Sequence, residues 1–171
     1  HPLDKTLIFL NTETKKEDYS SKCLPYPLEN SGCPAWDKLL GTLYSPEERH
    51  KLEWAIGSIV SGDSKSIQKF LVLYGSAGTG KSTVLNIIQD LFQGYYSIFD
   101  AKALGSSNNV FALESFKDNP LVAIQHDGDL SHIEDNTRLN SLVSHEQMTV
   151  NEKFKSAYST KFNAFLLFDV W

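Results

Sequence analysis

The sequence is poor in cysteine, and this limits the kinds of site that it can build. Only Cys23 and Cys33 occur among its 171 residues. Two cysteines are too few for a disulfide scaffold, and they lack a second pair of metal ligands. A single Cys23–Cys33 bridge or half of a zinc site stays open as an alternative. We expect free thiols in a reducing compartment.

The sequence also lacks a long apolar run. No stretch reaches the roughly 18 residues that a membrane-spanning helix needs, and no secretory leader is visible. We therefore expect a cytoplasmic protein with no membrane partner. The chain begins at His1 and stops on an apolar strand, so we interpret it as part of a larger protein.

Positive charge is scarce as well. The net charge is −5, which argues against a protein that coats nucleic acid, although a local patch of lysines remains compatible with it. Hydrophobic residues make up 41% of the sequence and aromatic residues 12%, which is enough for a packed core. The length predicts one main domain, residues 36–171, preceded by an extension or linker at residues 1–35.

The hydrophobic pattern predicts strands that alternate with helices. Ser45, Pro46 and Glu48 form the start signal of a helix that ends near Gly62. Short apolar runs predict buried strands, and amphipathic runs predict helices between them. Together they predict an α/β fold of three layers with a mainly parallel sheet. The predicted strands are Thr6–Leu10, Phe70–Tyr74, Tyr95–Phe99, Leu121–Gln125, Gln147–Asn151 and Phe162–Phe168. Three further helices are predicted: one directly after Gly80, one at Val110–Phe116 and one at Thr137–Val143.

A glycine-rich loop follows the strand Phe70–Tyr74. It fits the pattern G-x-x-x-x-G-K-S, and an apolar-faced helix comes directly after it. Glycines let successive backbone N–H groups turn toward an anion, and the helix N-terminus adds its positive dipole. The pattern predicts a phosphate loop that binds ATP and Mg²⁺, with Lys81 reaching the β- and γ-phosphates and Ser82 ligating the metal. The predicted nucleotide-binding residues are Gly75, Ser76, Ala77, Gly78, Thr79, Gly80, Lys81, Ser82 and Thr83.

A phosphate loop of this kind works with an acidic residue at the end of a second strand. Leu121–Gln125 is followed by His126, Asp127, Gly128 and Asp129. We predict Asp127 as the carboxylate on the magnesium or water side, and Asp129 as the second candidate. Either could instead be a turn residue, and their division of labour stays open. His126, His132 and His145 are expected to be structural.

Basic and aromatic residues alternate near the C-terminal side. Lys153, Lys155 and Lys161 flank Phe154 and Tyr158. Lysines neutralise phosphates and aromatic rings stack on bases, so the stretch is compatible with nucleic-acid binding. An ordinary solvated turn would have the same pattern.

These motifs, taken in order, resemble a known family. The chain carries G-S-A-G-T-G-K-S-T, L-V-A-I-Q-H-D-G-D-L, S-H-E-Q-M-T-V-N-E-K-F-K-S and the strand N-A-F-L-L-F. This order is similar to that of superfamily 3 helicases, in the primase-helicase branch of phages, plasmids and large DNA viruses. The resemblance covers roughly Ser45 to Phe168. It implies an AAA+-like P-loop ATPase domain in a hexameric ring that moves on single-stranded DNA, with Glu146 at an acidic site and Lys153, Phe154 and Lys155 at the tip of a DNA-facing hairpin.

Two departures from the family pattern affect the expected activity. The family's sensor strand ends in a polar residue, usually asparagine, whereas here Ala164–Phe168 continues into Asp169, Val170 and Trp171. The only arginines are Arg49 and Arg138, and neither lies where the family places its arginine finger. We therefore expect nucleotide binding with weak hydrolysis by this chain.

Two other functions remain as alternatives. One is a nucleotide-binding assembly or docking module without efficient hydrolysis. The other is a P-loop nucleotide kinase, which the shortage of arginine disfavours because such enzymes clamp two sets of phosphates. A GTPase is less compatible, since no N-K-x-D motif occurs.

Overall fold

The fold is described for most of the predicted main domain. The computed structural model describes residues 24–26, 31–62, 64–106, 108–128, 130, 133 and 135–171. The predicted strand Thr6–Leu10, Cys23, Asp129 and His132 lie outside the described residues. The division at residue 35 therefore stays a prediction.

Three helices precede the first strand. They are α1 (Pro34–Leu43), α2 (Pro46–Ser61) and α3 (Ser64–Ile67). The predicted capping box of α2 is present, because Ser45 Oγ accepts from Glu48 N–H and the Glu48 carboxylate accepts from Ser45 N–H. The helix ends at Gly62, which has the left-handed φ of 66° that was expected of its C-cap.

Helix α1 was missed by the sequence analysis. Pro34 was interpreted as part of a linker, but it is a first-turn residue of α1, where proline is well tolerated. Leu40 of this helix is fully buried and Trp36 packs on the same core. Proline can begin a helix as well as interrupt one, and here the packing of Leu40 decides between the two.

The central sheet has four strands, all parallel to their neighbours. The strands β1 (Leu71–Tyr74), β2 (Tyr96–Ile98), β3 (Val122–Gly128) and β6 (Phe165–Val170) lie in the order β1-β6-β3-β2. Helix α4 (Lys81–Leu91) connects β1 to β2, and α5 (Ala101–Gly105) with a 3₁₀ turn (Glu114–Phe116) connects β2 to β3. The predicted mainly parallel α/β sheet is confirmed.

Hydrophobic cores cover both faces of the sheet. Val122, Ile124 and Leu167 belong to a core with α1, α2 and α4, whereas Ala123, Leu166 and Phe168 belong to a core on the other face. Consecutive strand residues alternate between the two cores, which is the pattern of strands buried on both sides. The sheet is therefore the middle of three layers.

The elements on the second face differ from the prediction in two respects. The segment Val110–Phe116 forms turns and one 3₁₀ turn instead of the predicted α-helix. The strands predicted at Gln147–Asn151 and Phe162–Phe168 are present as β4 (Met148–Val150) and β6. Strand β5 (Tyr158–Thr160), the antiparallel partner of β4, was not predicted. The helix α6 (Thr137–Val143) is as predicted.

The helices found in the described part of the chain include none with both the length and the apolar character to cross a bilayer.

Phe168 on β6 gives a test of this packing. It is fully buried, and its ring makes edge-on contacts with Phe70 and Phe99, each at a centroid distance of 5.3 Å. We expect Phe168→Ala to lower the free energy of unfolding by about 3–5 kcal/mol, because it leaves a cavity at the centre of the sheet. Phe70 is 44% exposed, so Phe70→Ala should cost less than about 2 kcal/mol. Urea unfolding of the two variants measures the difference, and equal losses would contradict the assigned core.

Candidate functional site

The glycine-rich loop lies at the carboxyl end of β1 and leads into α4. Gly78 and Gly80 have φ angles of 78° and 85°, in the left-handed region that glycine adopts at little cost. Thr79 Oγ1 donates to Ser76 O at 2.9 Å, which closes the loop on itself. A loop of this shape, followed by a helix N-terminus, presents backbone N–H groups toward an anion.

Helix α1 supports the loop from outside. A Cβ atom added at Gly80 would lie 2.7 Å from Leu43 Cδ1, whereas one added at Gly78 would meet nothing within 4 Å. The end of α1 therefore packs directly against the last glycine of the loop. This support was not foreseen, since α1 itself was not predicted.

Lys81 is buried beneath the loop. Its Nζ donates to Gly75 O at 2.7 Å and to Ser76 O at 3.0 Å, and it lies 3.4 Å from Asp169 Oδ1. The side chain is only 8% exposed. A buried ammonium is costly unless it is hydrogen-bonded and paired with an acid, and Lys81 has both kinds of partner.

Asp169 is the residue that the sequence analysis missed. It is 1% exposed at the end of β6, and besides Lys81 it accepts a hydrogen bond from Ser82 Oγ at 3.1 Å. An acid after an apolar strand was the signal used for Asp127, and Ala164–Phe168 followed by Asp169 carries the same signal. It was interpreted as the loss of a sensor residue. The sequence alone does not reveal that β6 pairs directly with β1 and so brings Asp169 against Lys81 and Ser82.

The charge of Asp169 also affects the surroundings of the loop. Burial raises the pKa of the Tyr44 hydroxyl, and the negative charges of Glu48 and Asp169 raise it further. The Tyr44 hydroxyl is buried and has no hydrogen-bond partner among the described residues. Asp169 therefore keeps an effect on its neighbours in spite of the ion pair with Lys81.

Asp127 lies across a cavity from the loop. The cavity has a volume of about 310 Å³, and its walls consist of loop and helix residues together with Asp127 and Trp171. Asp127 is exposed, and it has a φ of 48° next to a β-bulge between Gln125 and Gly128. The structure thus brings the predicted Asp127 and Ser82 to one cavity, and Asp129 lies outside the described residues. The loop and helix residues at the cavity are Ala77, Gly78, Thr79, Gly80, Lys81, Ser82 and Thr83.

The oxygen donors at this cavity suit a hard divalent cation. Ser82 and Asp127 both line it, and their side chains carry the oxygen ligands that Mg²⁺ prefers. No group of three or more histidine, cysteine or acidic residues with metal-binding geometry occurs within the described ranges. A cation held here would therefore depend on a bound phosphate for its remaining ligands, as magnesium does in phosphate-transfer sites.

The histidines have the structural roles that were expected, as far as they are described. His126 Nε2 lies 3.3 Å from Gln89 Oε1 of α4, and the buried His145 Nδ1 lies 2.6 Å from Phe162 O. Glu146 lies beside α6, where its carboxylate accepts from Ser141 Oγ at 3.0 Å. These contacts connect elements and do not bring the three residues to the cavity around Lys81.

Both arginines are committed to contacts within the chain. Arg49 pairs with Asp37 at 2.5 Å and with Glu53 at 2.8 Å. Arg138 Nη1 donates to the carbonyl oxygens of Leu104, Ser106 and Asn109. Since the sequence contains no other arginine, none is left to reach the cavity without breaking these contacts.

The hairpin β4–β5 projects from the second core. Val150, in the strand pair next to the connecting loop, is fully buried, whereas Phe154 within that loop is fully exposed with a φ of 64°. Lys155 Nζ lies 2.6 Å from Glu152 Oε2. Hydrogen bonds from Lys155 and Tyr158 lower the pKa of the Glu152 carboxyl. The structure thus brings the predicted Lys153, Phe154 and Lys155 to one tip, and it adds an acid to them.

Comparison with known protein families identifies one match. A family model described as "Family of unknown function (DUF5906)" matches residues 73–171, which include the loop, Asp127, the hairpin and Asp169. The chain belongs to DUF5906. A comparison with curated proteins finds no match.

Two solved structures share the fold of this DUF5906 member. The A form apo structure of the NrS-1 C terminal region-CTR aligns with a TM-score of 0.62 and 16% identity. The apo structure of the NrS-1 C terminal region (305-718) aligns with a TM-score of 0.60 and 14% identity. Each alignment covers 81% of this chain and 33% of the other, so the chain spans about a third of the length of these structures. At this identity the likeness concerns the fold alone.

The support of the loop by α1 gives a paired test. Gly78→Ala should lower the free energy of unfolding by about 1–2 kcal/mol, since alanine resists a left-handed φ. Gly80→Ala should cost about 1 kcal/mol more, because the new methyl group also meets Leu43. Thermal and urea unfolding measure both values. Adding Leu43→Ala should remove most of the extra cost of Gly80→Ala, and no such recovery would contradict the contact.

Proposed function

We propose that this chain is the ATP-dependent motor domain of a phage-type replicative DNA helicase, in which the glycine-rich loop holds the phosphates of Mg-ATP. The observation that supports it best is the cavity between the loop and Asp127, where Lys81 and Ser82 meet an acid at the carboxyl edge of a parallel sheet. Ligands of α/β proteins bind at this edge of the sheet. Such a motor would act in the host cytoplasm.

The parallel sheet brings the loop after β1 and the acid of β3 to the same carboxyl edge, which supports the proposed nucleotide site. The strand before the loop, β1, is separated from the acidic strand β3 by β6. The acid at β3 therefore faces the loop from across the cavity instead of from the adjacent strand.

Each residue at the cavity has a defined task in this proposal. The loop N–H groups and Lys81 hold the phosphates, and Lys81 is held below them by Gly75 O and Ser76 O. Ser82 offers its hydroxyl oxygen to magnesium. Asp127, which is exposed to the cavity, orients the attacking water and accepts its proton. Magnesium, when bound, neutralises the charge that develops on the transferred phosphate.

The commitment of both arginines supports weak hydrolysis by the isolated chain. Arginine fingers stabilise the charge of the transition state and account for a large part of the rate in enzymes of this class. Arg49 and Arg138 are bonded elsewhere. The same observation disfavours a nucleotide kinase, and it favours the second candidate function, a nucleotide-binding docking module without efficient hydrolysis.

The hairpin tip is proposed as the contact with single-stranded DNA. Phe154 is fully exposed and can stack on a base, while Lys153 and Lys155 can neutralise phosphates. An exposed ring with a positive φ gains nothing from packing within its own chain, so contact with another molecule is a reasonable role for it. In a hexameric ring, six such tips would face a central channel.

The nucleotide site can be tested without removing a buried charge. Lys81→Arg keeps a positive charge beside Asp169, but its planar head is too large to follow the path of the ammonium. We expect it to weaken binding of Mg-ATP at least about tenfold, by loss of the charge-assisted hydrogen bonds. Isothermal titration calorimetry measures the affinity, and circular dichroism checks the fold. Lys69→Arg, outside the cavity, is the matched control.

A well-folded wild-type chain that takes up neither ATP nor ADP in the presence of magnesium would overturn the proposed motor. Binding of nucleotide without any measurable turnover, alone or with DNA, would instead favour the docking module.

The hairpin is tested by single-stranded DNA binding at several salt concentrations. We expect Phe154→Ala to weaken binding by about 1–3 kcal/mol, the range for loss of one stacked base. Lys153→Ala should reduce the slope of log affinity against log salt by about one, since it removes one phosphate contact. Fluorescence anisotropy with a labelled oligonucleotide measures both. Lys51→Ala on α2 removes the same charge elsewhere, and an equal effect of this control would exclude a specific role for the tip.

A further inference from the structure

We propose that Asp169 is a positioning residue that prepares the Ser82 hydroxyl as a ligand for a divalent cation. This inference depends on the proposed nucleotide site, and it assigns the task to a residue at the place where a sensor residue was expected. It separates the roles of two acids: Asp169 works from below the loop, and Asp127 works from across the cavity.

The direction of one hydrogen bond is the starting point. A serine hydroxyl has one proton and two lone pairs. The Ser82 hydroxyl donates that proton to Asp169 Oδ2 at 3.1 Å. Its lone pairs are then directed away from Asp169. Because Ser82 lines the cavity, they are available to a cation there.

The burial of Asp169 stabilises this orientation of the Ser82 hydroxyl. The carboxylate is 1% exposed, so water does not compete for its oxygen atoms. Its other oxygen, Oδ1, lies 3.4 Å from Lys81 Nζ. The carboxylate is thus held at both oxygen atoms, one by each of the first two residues of α4. A hydrogen bond to a buried ionised acceptor is stronger than one between neutral groups.

Asp127 is not equivalent to Asp169 in this task. It is exposed on the far wall of the cavity, and the single proton of Ser82 is already used by Asp169. Asp127 is therefore left to act on water or directly on the cation. Asp169 does not itself reach the cavity wall, since the residues that line the cavity do not include it.

The arrangement predicts that Asp169 affects nucleotide affinity in opposite directions with and without the cation. Without magnesium, the negative charge of Asp169 repels the phosphates, and its ion pair with Lys81 weakens the attraction of Lys81 for them. With magnesium, the same charge orients Ser82 toward the metal. Asp169→Asn should therefore bind magnesium-free nucleotide as tightly as the wild type or more tightly, but it should gain little from magnesium.

Calorimetric titration of ADP, in Mg²⁺ and in EDTA, tests this prediction. ADP is used so that hydrolysis plays no part. We expect Mg²⁺ to strengthen ADP binding to the wild type by about tenfold, within the usual range for coupled ligands. In Asp169→Asn this gain should fall below about twofold, while magnesium-free affinity rises by about threefold on removal of the repelling charge. Asp118→Asn, on an exposed turn, is the matched control.

A purely structural role of Asp169 has a different signature. Loss of the loop shape would weaken ADP binding in Mg²⁺ and in EDTA alike, and that result would overturn the inference. So would an Asp169→Asn variant that keeps the tenfold gain, or an Asp127→Asn variant that loses it while Asp169→Asn does not. Failure of the wild type to bind ADP at all would instead overturn the proposed nucleotide site.

Ser82 provides a second route if Asp169→Asn does not fold. Ser82→Ala leaves the pair of Lys81 and Asp169 in place and removes only the hydroxyl. The gain from Mg²⁺ should again fall below about twofold, whereas Ser82→Thr should retain it, since threonine has the same donor and acceptor groups. An unchanged gain in Ser82→Ala would overturn the inference.

Discussion

A buried ammonium needs a counter-charge, and the site of this protein depends on how Lys81 obtains one. The loop carbonyls of Gly75 and Ser76 accept hydrogen bonds from Lys81, and among the described residues only Asp169 forms an ion pair with it. Removing either partner would leave the other charged and buried, which is among the most costly changes that a protein core can undergo. The position of Lys81 under the loop, and with it the shape of the site, therefore depends on the end of β6.

The strand order brings Asp169 next to Lys81. Strand β6 lies between β1 and β3, with Leu73 of β1 in register with Asp169. The chain reaches β6 only after α6 and the hairpin β4–β5, so the hairpin is an excursion between two strands of the same sheet. The candidate DNA-contacting tip and the acid under the loop thus lie on one continuous segment.

The sequence predicted correctly those elements that a few adjacent residues determine. Ser45, Pro46 and Glu48 defined the start of α2, and the glycine pattern defined the loop and the start of α4, because caps and tight turns are decided by a few adjacent residues. Two elements that lack such a local signal were missed. Pro34 begins a helix because Leu40 has a core to enter, and β5 exists because β4 offers it a partner.

The sequence by itself determined the glycine-rich loop before α4 and the presence of acids at strand ends. A run of apolar residues followed by aspartate was visible at Asp127 and at Asp169 alike. Only the tertiary structure decided that Asp169 touches Lys81 and Ser82 while Asp127 stands across a cavity. The physical reason is that local patterns fix which residues form a strand, whereas the order of parallel strands is set by the burial of both sheet faces, and that depends on the whole chain at once.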